Sequence, residues 1–153
     1  MDEVAGIYAR EFSYLGCHVE LGVAQGRILS VAFPTEPSAE AETSHDLLDR
    51  IDAYLAGEWD DFDDVTVALT TPTDERAVLE RVREIPYDQE ATVGQVARMT
   101  PDLDSEESDD LALVREALTT NPVPLFVPDH RVRDGPSGTP AAVEQKLRAL
   151  ENL

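Results

Sequence analysis

The stretch that most constrains this chain is residues 121–132, Asn-Pro-Val-Pro-Leu-Phe-Val-Pro-Asp-His-Arg-Val. Pro122, Pro124 and Pro128 each fix φ and lack a backbone donor, which bars the stretch from a helix interior or a central strand. Residues ahead of a proline are driven toward extended backbone. The sequence therefore predicts an extended segment. Val123, Leu125, Phe126 and Val127 between the prolines predict that it is buried. Asp129, His130 and Arg131 follow with no spacer. A carboxylate, an imidazole and a guanidinium at the end of a buried segment read either as a presented site or as a satisfied buried ion pair.

The 153 residues suffice for one domain, or for two small halves sharing a core, with 42% hydrophobic content. The longest apolar runs fall far short of the ~18 residues of a membrane span. The acidic Met-Asp-Glu-Val start lacks the features of a signal peptide, so a cytoplasmic protein is expected, with no membrane partner. Net charge is −20, and Lys146 is the single lysine among twelve basic residues. Acidic excess with lysine depletion resembles proteins of salt-loving organisms, where self-repulsion is screened. The alternative is a specialised acidic protein that mimics or avoids nucleic acid; charge spread along the chain favours the first reading. Cys17 is the one cysteine and is expected to be an unreactive core or edge thiol. His18, His45 and His130 are scattered. Asp129 and His130 are adjacent and cannot alone form a tetrahedral site, so neither a metal nor a cofactor is expected.

Residues 4–33 predict a three-stranded antiparallel meander with a tight turn at Gln25-Gly26. An acidic loop leads to a helix from His45 to about Ala56, capped by Ser44 and ended by Gly57. Leu47, Leu48, Ile51 and Leu55 form its buried face, and His45 is expected at the surface. Residues 65–69 read as a short strand or extended segment. Thr73 is expected to cap a helix that Pro86 stops; Arg76 stands where a capping box prefers Glu. Thr92 caps a short helix over 93–99, and a second runs over about 109–119 with Leu111, Val114 and Leu118 inward. A last helix covers about 140–150.

Residues 121–132 resemble the active-site signature of the O6-alkylguanine-DNA alkyltransferases: Asn-Pro, an apolar run, then Pro-Cys-His-Arg-Val. Asp129 stands where that family has its acceptor cysteine. A second resemblance lies upstream. Gly57, Trp59 and Phe62, then Thr71-Pro72-Thr73, then Ile85-Pro86-Tyr87-Asp88 parallel the family's Gly, Phe, Thr-Pro-Phe and Ile-Pro-Tyr-Gly. The resemblance implies an α/β fold: a ribonuclease-H-like N-terminal half (1–71), with a three-stranded antiparallel sheet and helices, packed on a winged-helix-like, helix-turn-helix half (72–153).

In that family a thiolate takes the alkyl group from O6 of a guanine flipped out of the duplex. A His activates the thiol through water and a Glu from the last helix orients that His. The resemblance places His130 and Glu151 in those roles, with Asp129 at the acceptor position. A carboxylate is a poor nucleophile toward an alkyl ether carbon, so no methyl transfer is expected. Asn121 and Arg131 fall within the DNA-handling signature. The Tyr that pushes the nucleotide backbone aligns with Val93, and the intercalating Arg aligns with Ala112; Arg115 lies one helical turn away. The loop closing over the base is shorter here. Residues 101–121 hold seven acidic residues and one arginine, a poor surface for phosphate contacts. Two functions follow: a sensor of O6-alkylguanine in duplex DNA that recruits other repair proteins, or a relative that has left DNA and serves as a binding module.

Overall fold

The computed structural model describes residues 6–153. The expected strand residues 4 and 5 and the acidic start lie outside them. Strands β1 (Gly6–Phe12), β2 (Cys17–Ala24) and β3 (Arg27–Ala32) form one antiparallel sheet in the order β1-β2-β3. Along β2, Cys17, Val19, Leu21 and Val23 point inward and alternate with partly exposed residues, as a one-sided sheet requires. The β2–β3 turn carries φ 54° at Gln25 and 75° at Gly26, the paired left-handed geometry that matches strand twist. Residues 65–69 form no named strand. The segment is extended and makes a single parallel bridge to β3, with Ile28 N–H on the Thr66 carbonyl and Ala68 N–H on the Ile28 carbonyl, both at 2.9 Å.

Helix α1 spans Asp46–Leu55. Its cap is His45 and not Ser44: His45 Nδ1 accepts the Leu47 N–H at 3.0 Å, and the ring lies 4.6 Å from Tyr8. An imidazole lone pair does here what a serine hydroxyl usually does, which makes His45 half-buried instead of a surface residue. The helix ends as expected at Gly57 (φ 111°). Gly57 N–H reaches the Tyr54 carbonyl and Glu58 N–H the Ala53 carbonyl, the paired bonds of a Schellman stop.

Helix α2 spans Thr73–Val82, and Pro72 occupies its cap position with no side-chain cap bond. Thr73 is thus the first helical residue. Pro72, at φ −54° and ψ 153°, already sets the entry direction. Helix α3 (Val93–Met99) has the full capping box: Thr92 accepts the Gln95 N–H, and Gln95 accepts the Thr92 N–H. Helix α4 spans Ser108–Thr119 and α5 spans Ala141–Leu150. α2, α3 and α4 pack on one another, and α5 packs on the turn at Asp129–Arg131.

One apolar cluster runs through both halves. Tyr54, Phe62 and Phe126 stack edge to face at 5.4 and 5.3 Å, carrying the core from α1 to the proline-rich segment. The sheet also holds that segment directly, through Val31 N–H on the Pro122 carbonyl at 2.9 Å. Among the described residues no helix is long and apolar enough to cross a membrane.

Candidate functional site

Residues 121–132 are buried, apart from a partly exposed Pro122, but they are not an extended rod. Leu125 adopts φ 81°, Val127 N–H closes on the Val123 carbonyl at 2.9 Å, and Asp129–Arg131 make one 3-10 turn. Proline fixes its own φ and biases its predecessor, yet Leu125 precedes no proline and is free to reverse the chain. The reversal brings Asn121 back over Asp129.

Asp129 is fully buried, and four donors converge on its carboxylate. Oδ2 accepts Asn121 Nδ2 at 3.0 Å and the Gly138 N–H at 2.8 Å. Oδ1 accepts the Ser137 hydroxyl at 2.7 Å and the Thr139 hydroxyl at 3.0 Å. Burial pushes its pKa up, against the opposing pull of Ser137, Asn121, His130 and Gly138. The fit is tight: a Cβ on Gly138 would stand 2.9 Å from the Asn121 carbonyl oxygen. The carboxylate thus fastens residues 137–139 against the turn at Asp129.

Behind Asp129 lies a second buried network centred on Glu151, the C-terminal cap of α5. His130 Nε2 lies 2.8 Å from Glu151 Oε2. Arg131 gives Nε to Oε1 at 2.8 Å and a terminal nitrogen to Oε2 at 3.0 Å. The Tyr54 hydroxyl donates to Oε2, and the Asp88 N–H to Oε1 at 3.1 Å. Burial alone would raise the Glu151 pKa; the bonds from His130 and Arg131 outweigh it and bring it down to about 2. Arg131 also donates to the Ile85 carbonyl at 2.7 Å and lies 3.4 Å from Asp61. Among the described residues His130 Nδ1 is buried with no partner, so the imidazole is held through Nε2 alone.

The structure brings Asn121, Asp129, His130, Arg131 and Glu151 together and leaves the other predicted residues apart. Arg131 is 2% exposed and turned onto Glu151, and Asn121 is 6% exposed and turned onto Asp129. Neither presents itself to a duplex in this conformation. Val93, at the start of α3, is 1% exposed. A Cβ added at Gly135 would come within 3.0 Å of its side chain, so this position belongs to the core. Ala112 and Arg115 are exposed on α4. Cys17 is buried, and burial raises its pKa with Lys146 pulling the other way, which leaves a protonated, poorly nucleophilic thiol. Among the described residues no group of three or more metal-ligating side chains could hold a metal ion.

Sequence reasoning missed Tyr54, Asp61, Ser137 and Thr139. Tyr54 had a signal, since it lies three residues after Ile51 on the buried face of α1. Asp88 had another. It adopts φ 59° where the resembling motif has glycine, a conformation that Asp tolerates better than most residues.

Residues 74–152 match the family described as 6-O-methylguanine DNA methyltransferase, DNA binding domain. The chain is 36% identical over 129 residues to a methylated-DNA–protein-cysteine methyltransferase of Methanopyrus kandleri, covering 81% of this chain and 93% of the relative. A namesake from Metallosphaera sedula is 30% identical over 107 residues, covering 69% and 64%. Among solved structures, Mycobacterium tuberculosis OGT in complex with DNA superposes with a TM-score of 0.70 at 22% identity, covering 97% of this chain and 91% of that one. The O6-methylguanine-DNA methyltransferase of Pyrococcus kodakaraensis gives 0.67 at 20% identity, covering 98% and 100%. These two share the fold, a three-stranded antiparallel sheet followed by a helical half. With the family match spanning half of its length and a relative covered almost end to end, the chain belongs to the O6-methylguanine DNA methyltransferase family.

Proposed function

We propose that this protein is an alkyltransferase-like member of its family that meets O6-alkylguanine in duplex DNA without repairing it and recruits other repair proteins there. The carrying observation is Asp129: the acceptor position holds a buried carboxylate with four donors on it. Its lone pairs are engaged, and a carboxylate lacks the polarisability that makes a thiolate attack an alkyl carbon. The two halves divide at Thr71–Pro72, so the DNA-facing part would be residues 72–153 with α4 outermost. A second reading, a module that has left DNA, is favoured by buried Val93 and by the acidic flanks of α4.

No methyl group is expected on the protein after incubation with O6-methylguanine duplex. Intact-mass spectrometry decides this, and a stoichiometric adduct on any residue sinks the proposal. Electrophoretic shift at high salt separates the two readings. Preference for the lesion duplex over plain duplex is the sensor result; retention of neither is the module result.

The −20 charge further supports adaptation to a salt-rich cell. The melting temperature is expected to climb from dilute buffer to about 1 M KCl, where the Debye length shrinks to roughly 3 Å. A flat melting temperature across that range removes the halophile reading.

A further inference from the structure

Among the described residues, Arg27, Arg76, Arg83, Arg98 and Arg115 make no ion pair with a carboxylate. In a chain with 32 acidic and 12 basic residues, an arginine should find a carboxylate easily. Three of these five converge on one cleft of about 400 Å³, walled by residues 67–70 and by α2. Arg27 arrives from the β2–β3 turn, and Arg76 and Arg83 from α2 and its end. Glu80 is the single acidic residue in the lining. Three arginines against one glutamate give the lining residues a formal +2 on a protein of −20, with Asp63 and Asp64 near Arg83 beyond the lining.

Arg27 and Arg76 are poorly explained by the fold alone, and Arg83 only in part. Arg76 puts a positive charge near the N-terminal end of α2, where the helix dipole disfavours it. Its side chain makes no hydrogen bond among the described residues. Arg27 is exposed beside a turn that needs only Gln25 and Gly26. Arg83 does hold the fold: one terminal nitrogen donates to the Phe62 carbonyl at 2.9 Å and to the Val65 carbonyl. Its Nε, however, is buried with no partner among the described residues. Guanidinium groups present planar forks of donors that match the oxygens of an oxyanion. Forks reaching one cleft from separate elements suit a group with acceptor oxygens on several sides, which phosphate has and a planar carboxylate lacks.

We propose that the cleft between residues 67–70 and α2 binds a phosphate group through Arg27, Arg76 and Arg83. The phosphate belongs either to a small molecule or to a nucleic-acid backbone. In concentrated salt the repulsion from the rest of the chain is screened beyond a few Å, while direct donor–oxygen contacts persist. The site does not depend on the Asp129 network, so it stands or falls separately from alkylguanine recognition.

The test is calorimetric titration with inorganic pyrophosphate in about 1 M KCl, on the wild type and on an Arg27→Gln, Arg76→Gln double variant. Arg83 stays intact because it caps buried carbonyls. The variant is expected to melt like the wild type and to bind pyrophosphate at least ~10-fold more weakly. No binding to the wild type, or equal binding to both proteins, overturns the proposal. A parallel titration with a short unmodified duplex identifies the source. A matching loss on the duplex assigns the phosphate to nucleic acid, and a loss confined to pyrophosphate assigns it to a small molecule.

Discussion

Replacing Glu151 with alanine is expected to destabilise the protein by about 3–5 kcal/mol, the usual consequence of breaking a buried ion pair from one side. The magnitude follows from what the substitution abandons. Arg131, 2% exposed, loses two charge-assisted bonds and keeps the Ile85 carbonyl, Asp61 at 3.4 Å and the Tyr87 ring at 5.8 Å. The Tyr54 hydroxyl, the His130 Nε2 and the Asp88 N–H lose their acceptor as well. Against a total stability of about 5–15 kcal/mol, this is a large fraction. The melting temperature should drop by roughly 10 °C in a chain of this size. Glutamine keeps one acceptor oxygen but turns an NH₂ toward Arg131 or His130, so Glu151→Gln should fall between. A loss under about 1 kcal/mol for alanine would mean the network is not a keystone of the fold.

The same residue sets an acid limit. Its folded pKa is about 2 against an ordinary 4.5, so its stabilisation is full above the ordinary value and lost as pH falls toward 2. Asp129 works in the opposite sense. Its pKa is raised by burial, so keeping it ionised costs stability at neutral pH, and protonation relieves that cost on acidification. An Asp129→Asn variant should therefore lose stability in acid more steeply than the wild type. Acid titrations monitored by circular dichroism compare the two slopes.

What the sequence revealed was local. The alternation of Cys17, Val19, Leu21 and Val23 announced β2, and Thr92 announced the start of α3. Gly57 announced the end of α1, because helix stops are made within a few residues of chain. The residues around Asp129 and Glu151 were nameable through a motif, yet their state was not. Tyr54 and Glu151 are 97 positions apart, and only tertiary packing pairs them. The Asp129 carboxylate could have been a solvated acid. Its burial depends on Leu125 reversing the chain and on Ser137, Gly138 and Thr139 folding back from beyond the motif. No pattern at a spacing of two or 3.6 encodes such a reversal. His45 shows the same limit on a smaller scale: its capping role depends on a ring nitrogen facing the Leu47 N–H, a cap that propensity ranks below serine.

Restoring the nucleophile alone is expected to give a reactive thiol and not a working repair enzyme. In Asp129→Cys the new sulfur would stand beside His130, whose Nε2 is held by Glu151 and whose Nδ1 has no partner. An adjacent imidazole can take a thiol proton, directly or through water, so the residue should react readily with a small alkylating agent. Cysteine is nonetheless a weak acceptor. Asn121 Nδ2, the Gly138 N–H and the Ser137 and Thr139 hydroxyls would lose the oxygens they now share. Segment 137–139 should loosen, which hydrogen exchange at Gly138 would register. A loosened cover still leaves the base unflipped. Extrusion costs a few kcal/mol, and neither exposed Ala112 nor buried Val93 can fill the gap or press on the backbone. With about 1.4 kcal/mol per tenfold in rate, demethylation of duplex DNA should run at least ~100-fold below the Methanopyrus kandleri relative assayed in parallel. Ala112→Arg, added on the exposed face of α4, should recover part of the deficit. Val93→Tyr is the poorer addition, because it must first displace the turn at Gly135, whose Cβ position lies 3.0 Å from the Val93 side chain. A single Asp129→Cys variant that matched the relative on duplex DNA would mean that base extrusion never depended on those two positions, and that one carboxylate is all that separates this chain from repair.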